Sequence, residues 1–196
     1  MARWADTRWA LSLYTAPSVE PLTYSEVKSL LQLGDDTNQT WLTARIKAAR
    51  EKVEQDTGRR LITQTVDLAF DAFPSDAIAF PVLPLASVTS IVTTSVAGAA
   101  STLNASNYQV DTAAGRITLA DAGAWPLDIR AAAGITVRAV VGYGASGSNV
   151  PQPLVYAMEQ LLSQWYASRV GSAYVPPPKW LGYDATVAPY RALGVG

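Results

Sequence analysis

Between Trp41 and Thr65 the apolar positions change their period. Leu42, Ile46, Ala49 and Val53 stand at i, i+4, i+7 and i+11, which is one stripe of a helix. Lys47, Glu51 and Glu54 lie off that stripe and are expected to face water. Lys47 with Glu51, and Arg50 with Glu54, are i,i+4 pairs worth roughly 0.2–0.5 kcal/mol each. Gly58 stands where a left-handed residue would end the helix. Directly after it, Leu61-Ile-Thr-Gln-Thr-Val is β-branched and predicts a strand entered straight from the helix.

The same reading extends in both directions. Trp4, Trp9, Leu11 and Leu13 need cover, either from the chain's own body or, as a terminal arm, from a neighbouring subunit. Pro17 and Pro21 hold the next segment extended. Thr23-Tyr-Ser-Glu26 has the spacing of a capping box, ahead of a short helix that turns Val27, Leu30 and Leu31 inward and stops by Gly34. Asp35-Asp-Thr-Asn then supplies a turn and a cap for the long helix. From 60 to 142 the pattern is that of strands. Val66, Leu68 and Phe70 alternate with Asp67, Ala69 and Asp71. Phe73-Pro-Ser-Asp is a turn, and Ile78 to Val82 is a short strand, cut by Pro81 and Pro84 and so placed at an edge. Val88 to Val96 is a strand ended by Gly98. Tyr108-Gln-Val-Asp and Arg116-Ile-Thr-Leu form a hairpin through Thr112-Ala-Ala-Gly115, and Ile135 to Val141 is the strongest strand of all.

Pro151 and Pro153 announce the last helix. Leu154, Met158, Leu161 and Trp165 repeat the i, i+4, i+7, i+11 spacing, and Val155, Leu162 and Tyr166 widen the face. A helix this apolar is expected to be buried on most sides, with Trp165 in the core. Beyond it, Pro176-Pro-Pro and irregularly spaced aromatics predict an extended tail over 170–196. The fold class is α+β: N-terminal helices and a C-terminal helix in a small bundle, with an antiparallel β subdomain inserted. A single domain is expected, with a helical part over 17–58, a β insertion over 60–142, a helix over 151–169 and then the tail.

Composition narrows the function. With 49% hydrophobic and 16% charged residues, the 196-residue chain can build a core and is too apolar for disorder. The low charge fits a surface partly covered by partners or simply an alanine-rich chain, and both stay open. A net charge of −1 is no basis for gripping DNA phosphates. There is no cysteine and no histidine, so disulfides, thiolate chemistry, the usual zinc sites and histidine acid–base catalysis are excluded. No apolar run approaches the 18 or so residues of a membrane span. The first twenty residues make a poor signal peptide, so synthesis in a cytoplasm is expected. The acids are scattered, without calcium-loop spacing, and nothing motivates a carboxylate hydrolase. No catalytic, cofactor-binding or metal residues are assigned.

A long helix ending in AAREKVEQDTGRRLITQT, preceded by APSVEPLTYSEVKSLLQL, resembles one architecture in particular. It is followed in order by PLASVTSI, YQVD, GRITL, ITVRAVVGYG and VPQPLVYAMEQLLSQWYASR. The sequence is similar to the head–tail connector (adaptor) proteins of long-tailed phages and gene transfer agents. The resemblance runs from about Pro17 to Arg169 and rests on the order of the motifs. It implies a structural virion protein of the neck and not an enzyme. It further implies a self-assembled ring, typically dodecameric, whose partners are the portal and a stopper or tail-side neck protein, with DNA passing through the hole unread. Another neck ring, such as a stopper or tail terminator, and a monomeric binding module are the rival readings.

Two sets of residues are candidates for contacts. Arg45, Lys47, Arg50, Lys52, Arg59 and Arg60 hold six of the chain's fifteen cations. They form either a solvated helix face or the lining of a ring's lumen or of a subunit contact. Among them Arg45, Arg50, Arg59 and Arg60 are the candidate contacts, and Arg59-Arg60 has the better claim, because no acid follows Asp56 nearby. Tyr174, Trp180, Tyr183 and Tyr190 are candidates for docking the tail into a partner, the alternative being a tail folded on its own core. Gly142-Tyr-Gly-Ala-Ser-Gly147 matches G-x-G-x-x-G literally, but Ser148 to Pro153 separate it from any helix and no βαβ unit follows. It reads as a turn.

Overall fold

The computed structural model describes residues 8–75, 77–121, 123–168 and 181–191. The chain divides into two compact units. One is made of strands and comprises Thr63–Tyr143 with the described residues up to Pro17. The other is helical and comprises Ser18–Ile62 with the described residues from Gly144 to Arg191.

The β unit holds β1 (Trp9–Thr15), β2 (Gln64–Phe70), β3 (Ile78–Ala79), β4 (Leu85–Thr94), β5 (Ala100–Thr102), β6 (Tyr108–Asp111), β7 (Arg116–Leu119) and β8 (Ile135–Val141). They form a five-stranded sheet in the order β1-β2-β8-β4-β5 and a three-stranded sheet in the order β3-β7-β6, antiparallel throughout. Period-two burial places β2 and β8 at the centre. Val66, Leu68 and Phe70 on β2, and Ile135, Val137, Ala139 and Val141 on β8, are buried against Ile78, Ile91 and Ile117. Trp125 closes this core from a loop, stacked on Phe73 at 4.2 Å, while Phe73 meets Phe70 edge-on. On the other face Arg138 makes a two-pronged pair with Asp67, both contacts at 2.8 Å, under the ring of Tyr14.

The helical unit holds α1 (Tyr24–Leu30), α2 (Gln39–Thr57), α3 (Gln152–Ser168) and α4 (Leu181–Val187). Thr23 caps α1 in a complete capping box. Gly58 ends α2 at φ +68°, in the left-handed region. Leu42, Ile46, Ala49 and Val53 of α2 are buried, as are Leu154, Met158 and Leu162 of α3, and Trp41 meets Tyr166 edge-on across the two helices.

Several expectations give way to tertiary context. The strand after α2 begins at Gln64, because Leu61 and Ile62 are first buried in a bend. Ile78–Ala79 is all that remains of the strand expected to Val82, although it does lie at an edge. Leu30 is 42% exposed, since a helix of only seven residues buries Val27 alone in the core. Asn38 caps α2 without a side-chain hydrogen bond, and Asp35 instead accepts from the Thr37 amide. Trp165 is only half-buried, near the end of α3. Glu54, expected in water, is buried. Of the tail expected to be extended, residues 181–191 are described and are helical: α4, then a 3₁₀ turn over Ala188–Tyr190. The terminal stretch Trp9–Thr15 is a strand covered on one side by the chain's own β2.

Candidate functional site

The basic end of α2 is built around Glu54. Its Oε2 accepts from Arg50 Nη1 at 3.0 Å and Arg60 Nη1 at 3.3 Å, and its Oε1 accepts from the Leu61 amide at 2.9 Å. Arg50 reaches further, donating from Nε to Glu20 at 2.7 Å. Spacing explains the first contact, since Arg50 and Glu54 are one helical turn apart. The left-handed turn at Gly58 explains the others, because it swings the chain back so that Arg60 and Leu61 meet the same carboxylate. A buried charge of this kind survives only with such partners.

The four candidate arginines are thereby separated. Arg50 is buried and Arg60 half-buried, both paired inside the helical unit. No acid follows Asp56 nearby in the sequence, but the turn at Gly58 brings Arg60 back to Glu54, which precedes it. Arg59 is half-buried, donating from Nε to the Tyr190 carbonyl at 2.6 Å with its guanidinium 5.8 Å from the Tyr190 ring. Arg45 is exposed, 5.2 Å from the Trp41 ring, beside an open hollow of about 380 Å³ shared with Trp165 and Ser168.

The tail candidates divide as well. Tyr174 and Trp180 lie outside the described residues. Tyr183 is buried and donates its hydroxyl to Asp56 Oδ2 at 2.8 Å; burial first, and then Asp56, push its phenol above the ordinary range. Lys52 closes on the same Asp56 at 2.6 Å, and Arg191 pairs with Asp184. These groups line a cleft of about 330 Å³ with Gln160 and Gln164. Tyr190 borders a second cleft with Tyr156 and Glu159, where burial, and then Glu26, raise the Glu159 carboxyl. The sequence pairs Arg50 with Glu54 and allows a tail folded on its own core, but it gives neither Arg60 and Leu61 on Glu54 nor the helix α4. The Arg50–Glu54 spacing was a signal for the first, whereas the second had only Tyr183 and Val187 at i,i+4.

Chemically these arrangements are contacts: Arg50, Lys52, Arg60 and Arg191 are set against carboxylates, whereas Arg45 and Arg59 lie against aromatic rings. Among the described residues no group of three or more acids could hold a metal ion, and no described helix is long and apolar enough to cross a membrane. The glycine-rich stretch is a packed turn. A side chain on Gly147 would run into the Pro21 carbonyl, and Ser146 and Asn149 cap the 3₁₀ turn at 147–149 reciprocally.

No protein-family model and no curated protein sequence matches this chain. Solved structures do. A chain from the neck of an empty gene transfer agent particle, computed with C6 symmetry, is 27% identical, with a TM-score of 0.79 over 95% of this chain and 97% of that one. Chains from the virion of a native gene transfer agent particle and from the neck of a native particle computed with C12 symmetry are each 26% identical. They cover the same shares, at TM-scores of 0.77 and 0.76.

Proposed function

We propose that this chain is a structural subunit of the neck of a gene transfer agent or a related phage-like particle. One observation carries the reading: similarity over nearly the full length of both chains to components of such necks and virions. Near-complete coverage at this identity favours a shared role over a borrowed fold. The C6 and C12 symmetries of those necks support a ring of copies.

Within the neck we read the chain as the adaptor, a ring that is dodecameric by resemblance, set between the portal and the next neck or tail component. DNA passes through it without sequence-specific binding, and no chemical step is involved. The helical unit favours the adaptor over a stopper or tail terminator, which the resemblance implies would be mostly β. Arg45 is the candidate best placed for the lumen or a subunit contact, being exposed, and Arg59 is next. Arg50 and Arg60 would act by holding the end of α2. Tyr183 and Tyr190, with Tyr174 and Trp180, remain candidates for docking a partner, in which case Tyr183 would exchange Asp56 for that partner.

Cryo-electron microscopy of purified particles, with cross-linking to the portal protein, tests this. Density for a ring of this chain next to the portal is the expected result. Absence from the neck would overturn the neck reading, and a place at the tail side alone would overturn the adaptor reading.

A further inference from the structure

The outer strand of a sheet presents unpaired amides and carbonyls, and proteins ordinarily close that edge with charges, prolines or bulges. Here the edges of the five-stranded sheet are β1 and β5. β1, WALSLYT, has no charged residue and no proline, and its single irregularity falls between Leu13 and Thr15. Trp9 is 48% exposed, and Leu13 and Tyr14 are each 57% exposed. β5, Ala100–Thr102, is exposed at every position and equally free of charge and proline. The turn leading into it carries Val96, 74% exposed. The first half of β4, which β5 does not pair with, is instead broken by two register shifts. Among the described residues, two unguarded edges thus lie at opposite ends of one sheet.

The registers set these edges level. Trp9, Phe70, Ile135, Thr93 and Ser101 form one row across the sheet, and Ala10, Ala69, Thr136, Val92 and Thr102 form the next. Four antiparallel steps separate β1 from β5, so the two strands run in the same direction. We propose that the β1 edge of one copy pairs in parallel with the β5 edge of the next. Ala10 then lies level with Thr102 of the next copy, and Trp9 with its Ser101. The contact is heterologous, since each copy uses one edge and offers the other, which is what a closing ring requires. Pairing β1 with β1 would be two-fold and would stop at a dimer. The proposal rests on the ring reading above and names the surface that builds the ring.

The chain has no cysteine, so introduced thiols report on this contact alone. Full-length protein carrying both Ala10→Cys and Thr102→Cys, incorporated into particles and oxidised, should give a non-reducing ladder extending past the dimer, while each single variant stays monomeric. Trp9→Glu should keep the wild-type circular dichroism and reduce incorporation about tenfold. A disulfide dimer of Ala10→Cys alone, or an incorporated double variant that does not cross-link, overturns the edge pairing and leaves the ring reading intact if wild-type protein occupies the neck. Should the double variant not incorporate, Trp9→Glu decides, and undiminished incorporation overturns the proposal. Particles whose necks lack the wild-type protein remove both readings.

Discussion

Glu54 is where a single side chain does most to shape the helical unit. Its two oxygens meet Arg50, Arg60 and the Leu61 amide at once, so removing it takes the carboxylate from Arg60 and the acceptor from a buried amide, and leaves the buried Arg50 to Glu20. Glu54→Ala should therefore cost roughly 3–5 kcal/mol in urea unfolding, well above an exposed pair such as Lys47–Glu51. The capping carboxylate of Glu26 acts at the other end of the charge scale. The Thr23 amide first, and its hydroxyl second, hold Glu26 below the ordinary carboxylate range. The folded-state value is depressed, so its contribution is complete above the unfolded value and is lost as pH falls through the folded one. Glu26→Gln should thus be less stable than wild type at neutral pH and converge with it in acid, as read from urea midpoints across a pH series. A gap that stays constant with pH would contradict this account.

Individual elements were legible in proportion to how many positions repeat their pattern. β2 and β8 each offer at least three buried positions at period two, and α2 and α3 four or more at helical spacing, so chain-local pattern suffices. α4 has seven residues, and Tyr183 and Val187 are its buried positions among those whose side chains are described, too few to register as a period. Its docking depends on a hydrogen bond to a carboxylate over a hundred residues away in sequence. Tyr183→Phe should loosen α4 by about 1.5–3 kcal/mol, seen as faster hydrogen exchange confined to residues 181–191 and their contacts. Along α3, burial ranks the substitutions differently from the sequence pattern. Met158→Ala should cost about 2–5 kcal/mol, while Trp165→Ala, at a half-buried site, should fall short of the ~3–5 kcal/mol of a core tryptophan. In the β6–β7 hairpin, Gly115 combines φ +65° with a Leu83 side chain in the space a Cβ would need. Gly115→Ala should consequently destabilise by more than ~1 kcal/mol in thermal unfolding.

For the whole molecule the decisive quantity is the balance of charge. With fifteen cations against sixteen acids, and Arg50 and Arg60 held by Glu54, little positive charge is free to neutralise phosphate. The proposed conduit role would benefit from this, since DNA would have to move through the ring. The purified chain should retain no duplex DNA in a mobility-shift experiment at about 0.15 M salt. Tight binding there would argue for a different role. On the proposed reading affinity is directed instead at protein surfaces, and the edges of the five-stranded sheet are the candidates for these.

The order and type of most elements follow from the sequence by itself, because helix and strand periods, capping boxes and turn glycines are local properties of a short stretch of chain. The lack of histidine and cysteine chemistry is equally a property of the sequence. What only the tertiary structure decided is which charges are buried and which edges stay open. Glu54 looks like a surface residue until the turn at Gly58 returns Arg60 to it, and Trp9–Thr15 gains its place only by pairing with β2. Both outcomes depend on contacts between residues far apart in the chain, where spacing along the sequence carries no information.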